Sequence, residues 1–429
     1  MGAKMADPVV RKVLANGLTV QLLPMANFHK TYAILTTNFG SVDRKYKLSP
    51  NDEWKTIPDG IAHFLEHKLF EKENYDAFEL FGEHGADANA FTGFTQTSYL
   101  FSTTSQLKEN LEVLLDFVQA PYFSAASVAK EQGIIGEEIK MYADNPGNRL
   151  YMGMMENLYP HDPMHIDIAG TVESIAQITP ETLYEVYRAF YQPSNMTLSV
   201  VGALDVEETF SWIEDNQAAK EFISAPKPIR YPIISDSSGA DVIKSRTISM
   251  AVERPKVMVG LRGLLSWSKG RDRLKAKSAI ELGLEMLFDD TTDNYLQLYN
   301  RGILDDSFSF SFEIERGFHF ASFATETDQV QAFIDEMKKV LENAEQLLVA
   351  DQDQFEATKR ASLGRLIFNL DSPEAIANRF EGALFDQATI YDEIAVLEEI
   401  TFEDVLSATL NFIKPMCLTA MVINPLHND

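Results

Sequence analysis

The sequence predicts an α+β protein made of two homologous α/β domains, an internal duplication. Three observations lead there. The 429 residues exceed what one compact core accommodates, and a 45% hydrophobic content is enough to fill two. Two distant segments, starting at Ile178 and Ile400, share one helix-Pro-strand pattern. Between them "ISAPKPIRYPIISDSSG" (223–239), with three prolines and a Ser/Gly cluster, interrupts the periodic segments. The repeat implies halves of about 210–220 residues, and the expected domains are 1–228 and 229–429.

In chain order, the first strongly patterned element is "GIAHFLEHKLF" (60–70). The chain has eight histidines, and two of them stand here with a glutamate inside five positions. On a helix His63, Glu66 and His67 lie at i, i+3 and i+4 and share one side, while Ile61, Leu65 and Leu69 fall on the other. Chance gives two histidines and an acid at such offsets on the order of once per hundred chains of this composition. Two imidazoles one turn apart can hold a metal ion. A catalytic Zn²⁺ needs a third protein ligand and an open position for water, and Glu66 could take a proton from that water. H-x-x-E-H is the inverted counterpart of the zincin H-E-x-x-H pattern. A helix whose histidines only cap or hydrogen-bond locally is the alternative, and a third ligand decides between the two.

The next run, "DANAFTGFTQTSYLF" (87–101), alternates like a strand over much of its length. It is followed by "SVAKEQGIIGEEIKMYADNP" (127–146), which has helical periodicity. With Glu138 at zero on a wheel of roughly 100° per residue, Glu131 lies at about 20°, Ile134 at about −40°, Ile135 at about 60°, Tyr142 at about 40° and Met141 at about −60°. Two carboxylates therefore sit in the apolar stripe, with Lys130, Glu137 and Lys140 on the flanks or the far side. A carboxylate is rarely buried unless paired or bound to metal, which makes Glu138 the candidate third ligand. Adjacent Glu137 is the rival that spacing leaves open. Glu131, two turns earlier on the same side, is placed to orient a ligand. Structural salt bridges are the other role open to Glu131 and Glu138.

"ITPETLYEVYRAFYQPSNMTLSVVG" from Ile178 and "ITFEDVLSATLNFIKPMCLTAMVIN" from Ile400 then match at a constant offset of 222, pairing Pro193 with Pro415 and Thr197 with Thr419. In each copy Thr179 or Thr401 is placed to cap a helix with an acid in its first turn, the helix stops before Pro, and an apolar β-branched strand follows. Weaker matches join "GIAHFLEHKLF" to "SAIELGLEMLF" (278–288), "YDAFELFGEHGADANAFTGF" to "NYLQLYNRGILDDSFSFSF", and "MYADNP" to "FNLDSP". In the second copy Glu281, Leu284 and Glu285 face His63, Glu66 and His67, and Arg365 replaces Glu138. One half carries the chemistry.

Composition narrows the partners. A formal charge of −27 argues against nucleic-acid binding, which draws on basic residues meeting phosphates, and suits basic or neutral peptides. The single cysteine, Cys417, excludes an intramolecular disulfide and a thiolate-rich zinc site, and reads as a buried thiol in a strand. No apolar run reaches the 18 or more residues of a membrane helix. "MGAKMADPVVRKVLANG" lacks the apolar core of a signal peptide, and Ala6 stands where a myristoylation signal prefers Ser or Thr. The expectation is a cytoplasmic protein. His161 and His165 lie in a Pro-rich segment read as a loop, and His84 in a turn after a helix, so neither group belongs to the site.

Taken together, "HFLEH" at 63–67, the downstream Glu131 and "GEEI" with Glu138, the "DANAFTGFTQTSYLF" run and the two-half organisation resemble the pitrilysin, insulin-degrading enzyme and mitochondrial processing peptidase family of zinc metallopeptidases. The resemblance covers nearly the whole chain and points to the small bacterial processing-peptidase-like members, and it implies two homologous α/β domains, each a mostly antiparallel sheet with helices packed on it, that form half of a clam-shell chamber. It implies one Zn²⁺ per chain on His63, His67 and Glu138, Glu66 as general base, and Glu131 supporting the site. It also implies an edge strand that pairs with substrate backbone, with Asn89 and Ala90 closest to the peptide. Active members present an Arg and a Tyr from the C-terminal half. The matching "LQLYNRGILDDSFSF" offers Tyr299, Arg301 and Phe308 but neither residue at the expected place. Some members work as heterodimers in which a partner supplies that pair, so a homodimer or heterodimer with a homologous chain is expected.

The resulting expectation is a zinc metalloendopeptidase acting on unfolded peptides, with a catalytic zinc-binding domain at 1–228 and a homologous non-catalytic domain at 229–429. The competing readings are a non-catalytic peptide-binding or scaffold subunit of a heterodimeric processing peptidase, and a hydrolase of another bond using the same metal.

Overall fold

The computed structural model describes residues 8–222, 226–233, 238–266, 270–379, 385 and 388–426. Of the Pro/Ser/Gly stretch expected between the halves, 223–225 and 234–237 lie outside the described residues. The chain forms two compact units. The first holds 1–140, 167–231 and 368–383, and the second holds 141–166, 232–367 and 384–429.

In the first unit the strands are β1 (Val10–Val13), β2 (Thr19–Pro24), β3 (Thr31–Thr37), β4 (Lys45–Lys47), β5 (Lys55–Thr56), β6 (Asp87–Thr92), β7 (Thr97–Thr103), β8 (Met196–Gly202) and β9 (Ile229–Arg230). Six of them form one sheet in the order β1-β2-β8-β3-β7-β6, and β5-β4-β9 form a small second one. The second unit carries β10 (Ser245–Met250), β11 (Lys256–Arg262), β12 (Ser309–Glu315), β13 (Phe318–Glu326) and β14 (Cys417–Pro425), ordered β10-β14-β11-β13-β12. The two main sheets correspond strand for strand from β2 and β10 onward. Each has a single parallel pair, β2 with β8 and β10 with β14, and is otherwise antiparallel.

Local sequence explains the matching ends of the halves. Helices Pro180–Phe190 and Phe402–Ile413 each begin at a threonine whose side chain accepts from the backbone N–H three residues on, Thr182 after Thr179 and Asp404 after Thr401. The third residue returns the bond to the cap, a reciprocal arrangement that satisfies two otherwise orphaned donors. After each helix the Pro193 or Pro415 segment stops the winding, and β8 or β14 enters the middle of its sheet.

Two short segments are exchanged between the copies. The helix Pro146–Leu158, which follows "DNP", packs on β11 and β14 and belongs to the second unit. Its counterpart Pro373–Ala377, which follows "DSP", packs on β3 and β8 of the first. The close fit is visible at Gly153, where a Cβ would stand 2.7 Å from Met421 side-chain atoms, and at Gly260, where one would meet Met154 at the same distance. In the first unit Ile376 is fully buried and Glu374 pairs with Lys30. The main passage of the chain from one unit to the other, at 231/232, falls three residues after the expected cut at 228/229.

The second unit buries a charged group. Arg262, with no exposed surface, donates to the Leu158 carbonyl at 3.0 Å and to Asp241 at 2.9 Å, and lies 5.0 Å from the Tyr159 ring centre. Tyr159 Oη in turn donates to the His319 carbonyl at 2.9 Å. Burial, and after it the charge of Arg262, lowers the His319 pKa from 6.5 to about 3. Below pH 6.5 the unfolded chain therefore binds a proton at this residue that the folded chain does not, and stability is lost as pH falls toward 3. His319→Gln, which removes that titration, should lose about 2–3 kcal/mol less stability than the wild type between pH 6.5 and 4.5, read from denaturant midpoints. Equal losses in the two proteins would show that the ring is not held neutral.

Candidate metal centre

The site is built on α1 (Ile61–Phe70), which starts at Gly60 with φ 84°. A side chain there would meet two obstacles, since the left-handed backbone disfavours L-residues and a Cβ would stand 2.3 Å from the Ala169 carbonyl oxygen. The preceding Asp59 is fixed by Arg44 through its carboxylate, with Nη2 to Oδ2 at 3.0 Å, and by Ser174, whose hydroxyl donates to its carbonyl at 2.9 Å. Sequence periodicity gives this helix one apolar face and one polar face. The structure instead buries every residue from Ile61 to Phe70 except His67, because β6, β7 and the helix Leu107–Gln119 cover it from different sides.

The second supporting element is α2 (Ala125–Asp144). Ile135 is fully buried on it and Glu131 nearly so, but Ile134 and Met141, expected in the buried stripe, are 48% and 60% exposed. The buried face is centred between Ile135 and Tyr142, about 50° round from Glu138, which leaves Glu138 at its rim. Glu137 points to solvent and pairs with Lys140 at 2.6 Å.

Across these two helices His63, His67 and Glu138 converge, with one ligand atom from each lying within 4.8 Å of the others. Glu138 Oε2 is 3.7 Å from His63 Nε2 and 3.5 Å from His67 Nε2. Two ligands each about 2 Å from a common ion are separated by about this much. The two imidazole rings are 4.6 Å apart and inclined by 60°. Behind them His67 Nδ1 meets Glu131 Oε1 at 3.1 Å, which leaves Nε2 for the cluster. Glu66, also buried, is held by Thr92 of β6, whose hydroxyl donates to Oε2 at 2.5 Å.

Burial first, and then the neighbouring His67, lowers the His63 pKa to about 4, so this ring is neutral and keeps a lone pair for a metal at neutral pH. At His67 burial also opposes the charge, but the bond to Glu131 and the fields of Glu66, Glu131 and Glu138 outweigh it and raise the pKa. Glu131 shows the converse balance, with burial opposing and the His67 bond and the charges of His67 and Lys68 prevailing, so its pKa is lowered. Burial raises the pKa of Glu66, although the Thr92 bond and His67 pull the other way. Two imidazoles and one carboxylate are a donor set that could hold a zinc ion through three protein ligands and leave a position open for water. The residues present fit such an ion.

The run "DANAFTGFTQTSYLF" is a hairpin rather than one strand. β6 and β7 are joined by a turn in which Gly93 N–H donates to the Gln96 carbonyl at 2.8 Å. β6 ends the sheet. Its Ala88, Ala90 and Thr92 are half-buried, with Ala88 and Ala90 packed on the core, while Asp87, Asn89 and Phe91 face solvent. The Asn89 side chain accepts from the Ala90 N–H at 2.8 Å. Thr92 and Lys68, both in contact with the site, were not picked out by sequence pattern. Thr92 carries the inward alternation of Ala88 and Ala90, which was the available signal, while a lysine inside a helix reads as solvated. His165 lies in a short 3₁₀ turn with Nδ1 2.5 Å from the Asp162 carbonyl, and His84 ends the helix Ala77–Glu83.

In the second unit the counterpart positions hold ion pairs. Arg365 and Ser362 both bond the Glu285 carboxylate, at 2.5 and 2.6 Å, and Lys277 pairs with Glu281 at 2.7 Å. Arg301 is engaged by Glu336 at 2.8 Å, and Tyr299 is exposed.

Residues 51–172 match the profile of the family described as Insulinase (Peptidase family M16), and residues 177–362 match that of the Peptidase M16 inactive domain. The chain is 42% identical over 422 residues, 98% of each chain, to YmfH of Bacillus subtilis, an uncharacterized zinc protease. It is similar to the crystal structure of an M16-like peptidase from Alicyclobacillus acidocaldarius, with TM-score 0.91, 31% identity, and coverage of 99% of this chain and 100% of that one. A protease structure from Helicobacter pylori shares the fold at TM-score 0.83 and 18% identity, covering 97% of this chain and 99% of that one.

Because α1 starts at a left-handed residue against the 169 carbonyl, Gly60→Ala should destabilise the protein by about 1–3 kcal/mol and lower its thermal midpoint by several degrees. An unchanged midpoint would mean that the entry to the helix tolerates a side chain and does not fix its position.

Proposed function

The chain belongs to the insulinase (M16) family of peptidases, and on that footing we propose that it is a zinc-dependent endopeptidase, with one ion per chain held by His63, His67 and Glu138 and with Glu66 as general base. The observation that carries this reading is the convergence of one ligand atom from each of those three residues within 4.8 Å, beside a buried glutamate. A zinc ion there would lower the pKa of a bound water and polarise a peptide carbonyl. Glu66 does the proton work. Thr92 anchors its Oε2, so Oε1 is the oxygen that accepts a proton from the attacking water and passes it to the leaving amine. Its burial favours the protonated form more than exposure to water would, which brings its pKa nearer the working range of a base that must also serve as an acid. Glu131 keeps His67 turned toward the ligand cluster.

The substrate enters as an extended segment. β6 ends its sheet, and an unfolded peptide laid along it adds a strand through backbone bonds, with Asn89 and Ala90 nearest the scissile bond. The Asn89 side chain, which holds the Ala90 N–H at 2.8 Å, gives up that donor to a peptide carbonyl. The net charge of −27 favours basic or neutral peptides over acidic ones.

A second reading is favoured by Arg301. Family resemblance leads one to expect an Arg and a Tyr from the C-terminal half, but Arg301 is tied to Glu336 at 2.8 Å, and Tyr299 and Phe308 do not complete the pair. In that reading a homologous companion chain, identical or different, supplies the two residues, and this chain alone binds peptide with little turnover.

The experiment is zinc content together with hydrolysis of a mixed fluorogenic peptide library, on wild type and Glu66→Gln. About one zinc in each protein, with cleavage reduced by about 10²–10⁴-fold in the variant and abolished in the wild type by a chelator, is the expected result. Zinc in both without cleavage by either would transfer the weight to the companion-chain reading. Zinc in neither would overturn the assignment of the site.

A further inference from the structure

Lys68 follows His67 directly and has no exposed surface. Burying an ammonium costs several kcal/mol unless it is paired, so its partners must be strong ones. One is Glu71, a turn further along the same segment, with Nζ 2.6 Å from Oε2. The other is Glu131 of α2, with Nζ 3.7 Å from Oε2. The remaining oxygen of Glu131, Oε1, is the one that meets His67 Nδ1 at 3.1 Å. A single carboxylate thus spans an ammonium and an imidazole that are neighbours in sequence.

The pair with Glu71 already neutralises Lys68, so packing and charge balance alone do not call for the second contact. What the second contact does is bias a rotation. At 3.7 Å the ammonium is an ion-pair partner of Oε2 rather than a hydrogen-bond donor to it, and its attraction favours the carboxylate rotation that keeps Oε1 on His67. The duplication supplies a comparison within the same chain. At the position equivalent to Lys68 the second copy has Met286, 4% exposed, and at the position equivalent to Glu131 it has Thr358, whose hydroxyl donates to the Gln354 carbonyl. The same helix in the same fold accepts an apolar side chain where the ligand set is absent. Lysine and glutamate occur together in the copy that has the ligands, and both are replaced in the copy that lacks them.

We propose that Lys68 is a positioning residue of the metal centre. Its ammonium holds one oxygen of Glu131 so that the other stays on His67 Nδ1, and this aims His67 Nε2 at His63 and Glu138. The proposal rests on the zinc reading of the site.

The test is a double-mutant cycle of Lys68→Met and Glu131→Gln, read as zinc affinity by competition with a chromogenic chelator. The visible absorption of the cobalt(II)-loaded proteins serves as a second readout of ligand geometry. Each single variant should bind zinc about 10–100-fold more weakly than the wild type, as loss of a group that orients a ligand does. The double variant should be no more than about threefold weaker than Glu131→Gln alone, since Lys68 acts through Glu131. The cobalt spectra of the two singles should shift alike. An unchanged affinity in Lys68→Met, or a double variant showing the product of the two losses, overturns the proposal and leaves the zinc reading standing. A wild type that binds no zinc overturns both. If Lys68→Met does not fold by circular dichroism, the cycle is run with Lys68→Gln, and failure of both to fold overturns the proposal in favour of a structural anchor.

Discussion

A helix buried on nearly every side must find a partner for each polar group it carries, and α1 is such a helix. His63 Nε2 and His67 face Glu138 and Glu131 of α2, Thr92 of β6 bonds Glu66, and Lys68 pairs with Glu71 at the end of its own helix and with Glu131 of α2. The low exposure that makes each pairing necessary also makes it strong, because water competes less for the same groups. Just past the helix, Lys72 is treated likewise, donating to the carbonyls of Phe117 and Ala120 at 2.7 and 2.6 Å. Burial, and next the charge of Lys68, lowers its pKa to about 7. Chemistry and packing are therefore one problem in this unit.

The second copy shows how the same scaffold resolves that problem when no ligand set is present. Glu285, standing where His67 does, is bound by Arg365 and Ser362, and Glu281, standing where His63 does, by Lys277. Opposite charges there neutralise one another directly. In the first copy two imidazoles, one of them held neutral by burial, face a carboxylate instead, an arrangement that a bound cation would balance. The duplicated fold thus separates what the architecture requires, which is charge balance at this depth, from what the chemistry requires, which is an open ligand set.

Much of this was legible in the chain because the signals were local. The i, i+3, i+4 spacing of His63, Glu66 and His67, the threonine caps at Thr179 and Thr401, and the prolines that stop the helices each reside in a few consecutive residues. Glu138 could be preferred to Glu137 from periodicity, but the wheel was rotated by Ile134 and Met141, apolar side chains that the fold leaves in solvent. The turn at 93–96 was hidden because Phe94 and Thr95 continue an apolar alternation with no Asn-Gly or Asp-Gly to mark it. The partners of Lys68 and Thr92 come from elements tens of residues away, and no local pattern encodes them. Nor does any pattern show that the helices after "DNP" and "DSP" change places, because an exchange between similar copies leaves each copy's own periodicity intact.

That exchange sets the order in which the protein can be made. The first sheet, with the helices that carry His63, His67 and Glu138, is complete in sequence by residue 231, yet the helix that packs on β3 and β8 lies at 373–377. At a synthesis rate of about 5–20 residues per second, roughly 7–30 s separate the two on the ribosome. During that interval the apolar surface later covered by Ile376 and Ala377 is open to water. Until then the nascent chain carries the complete His63–His67 segment on an unfinished domain.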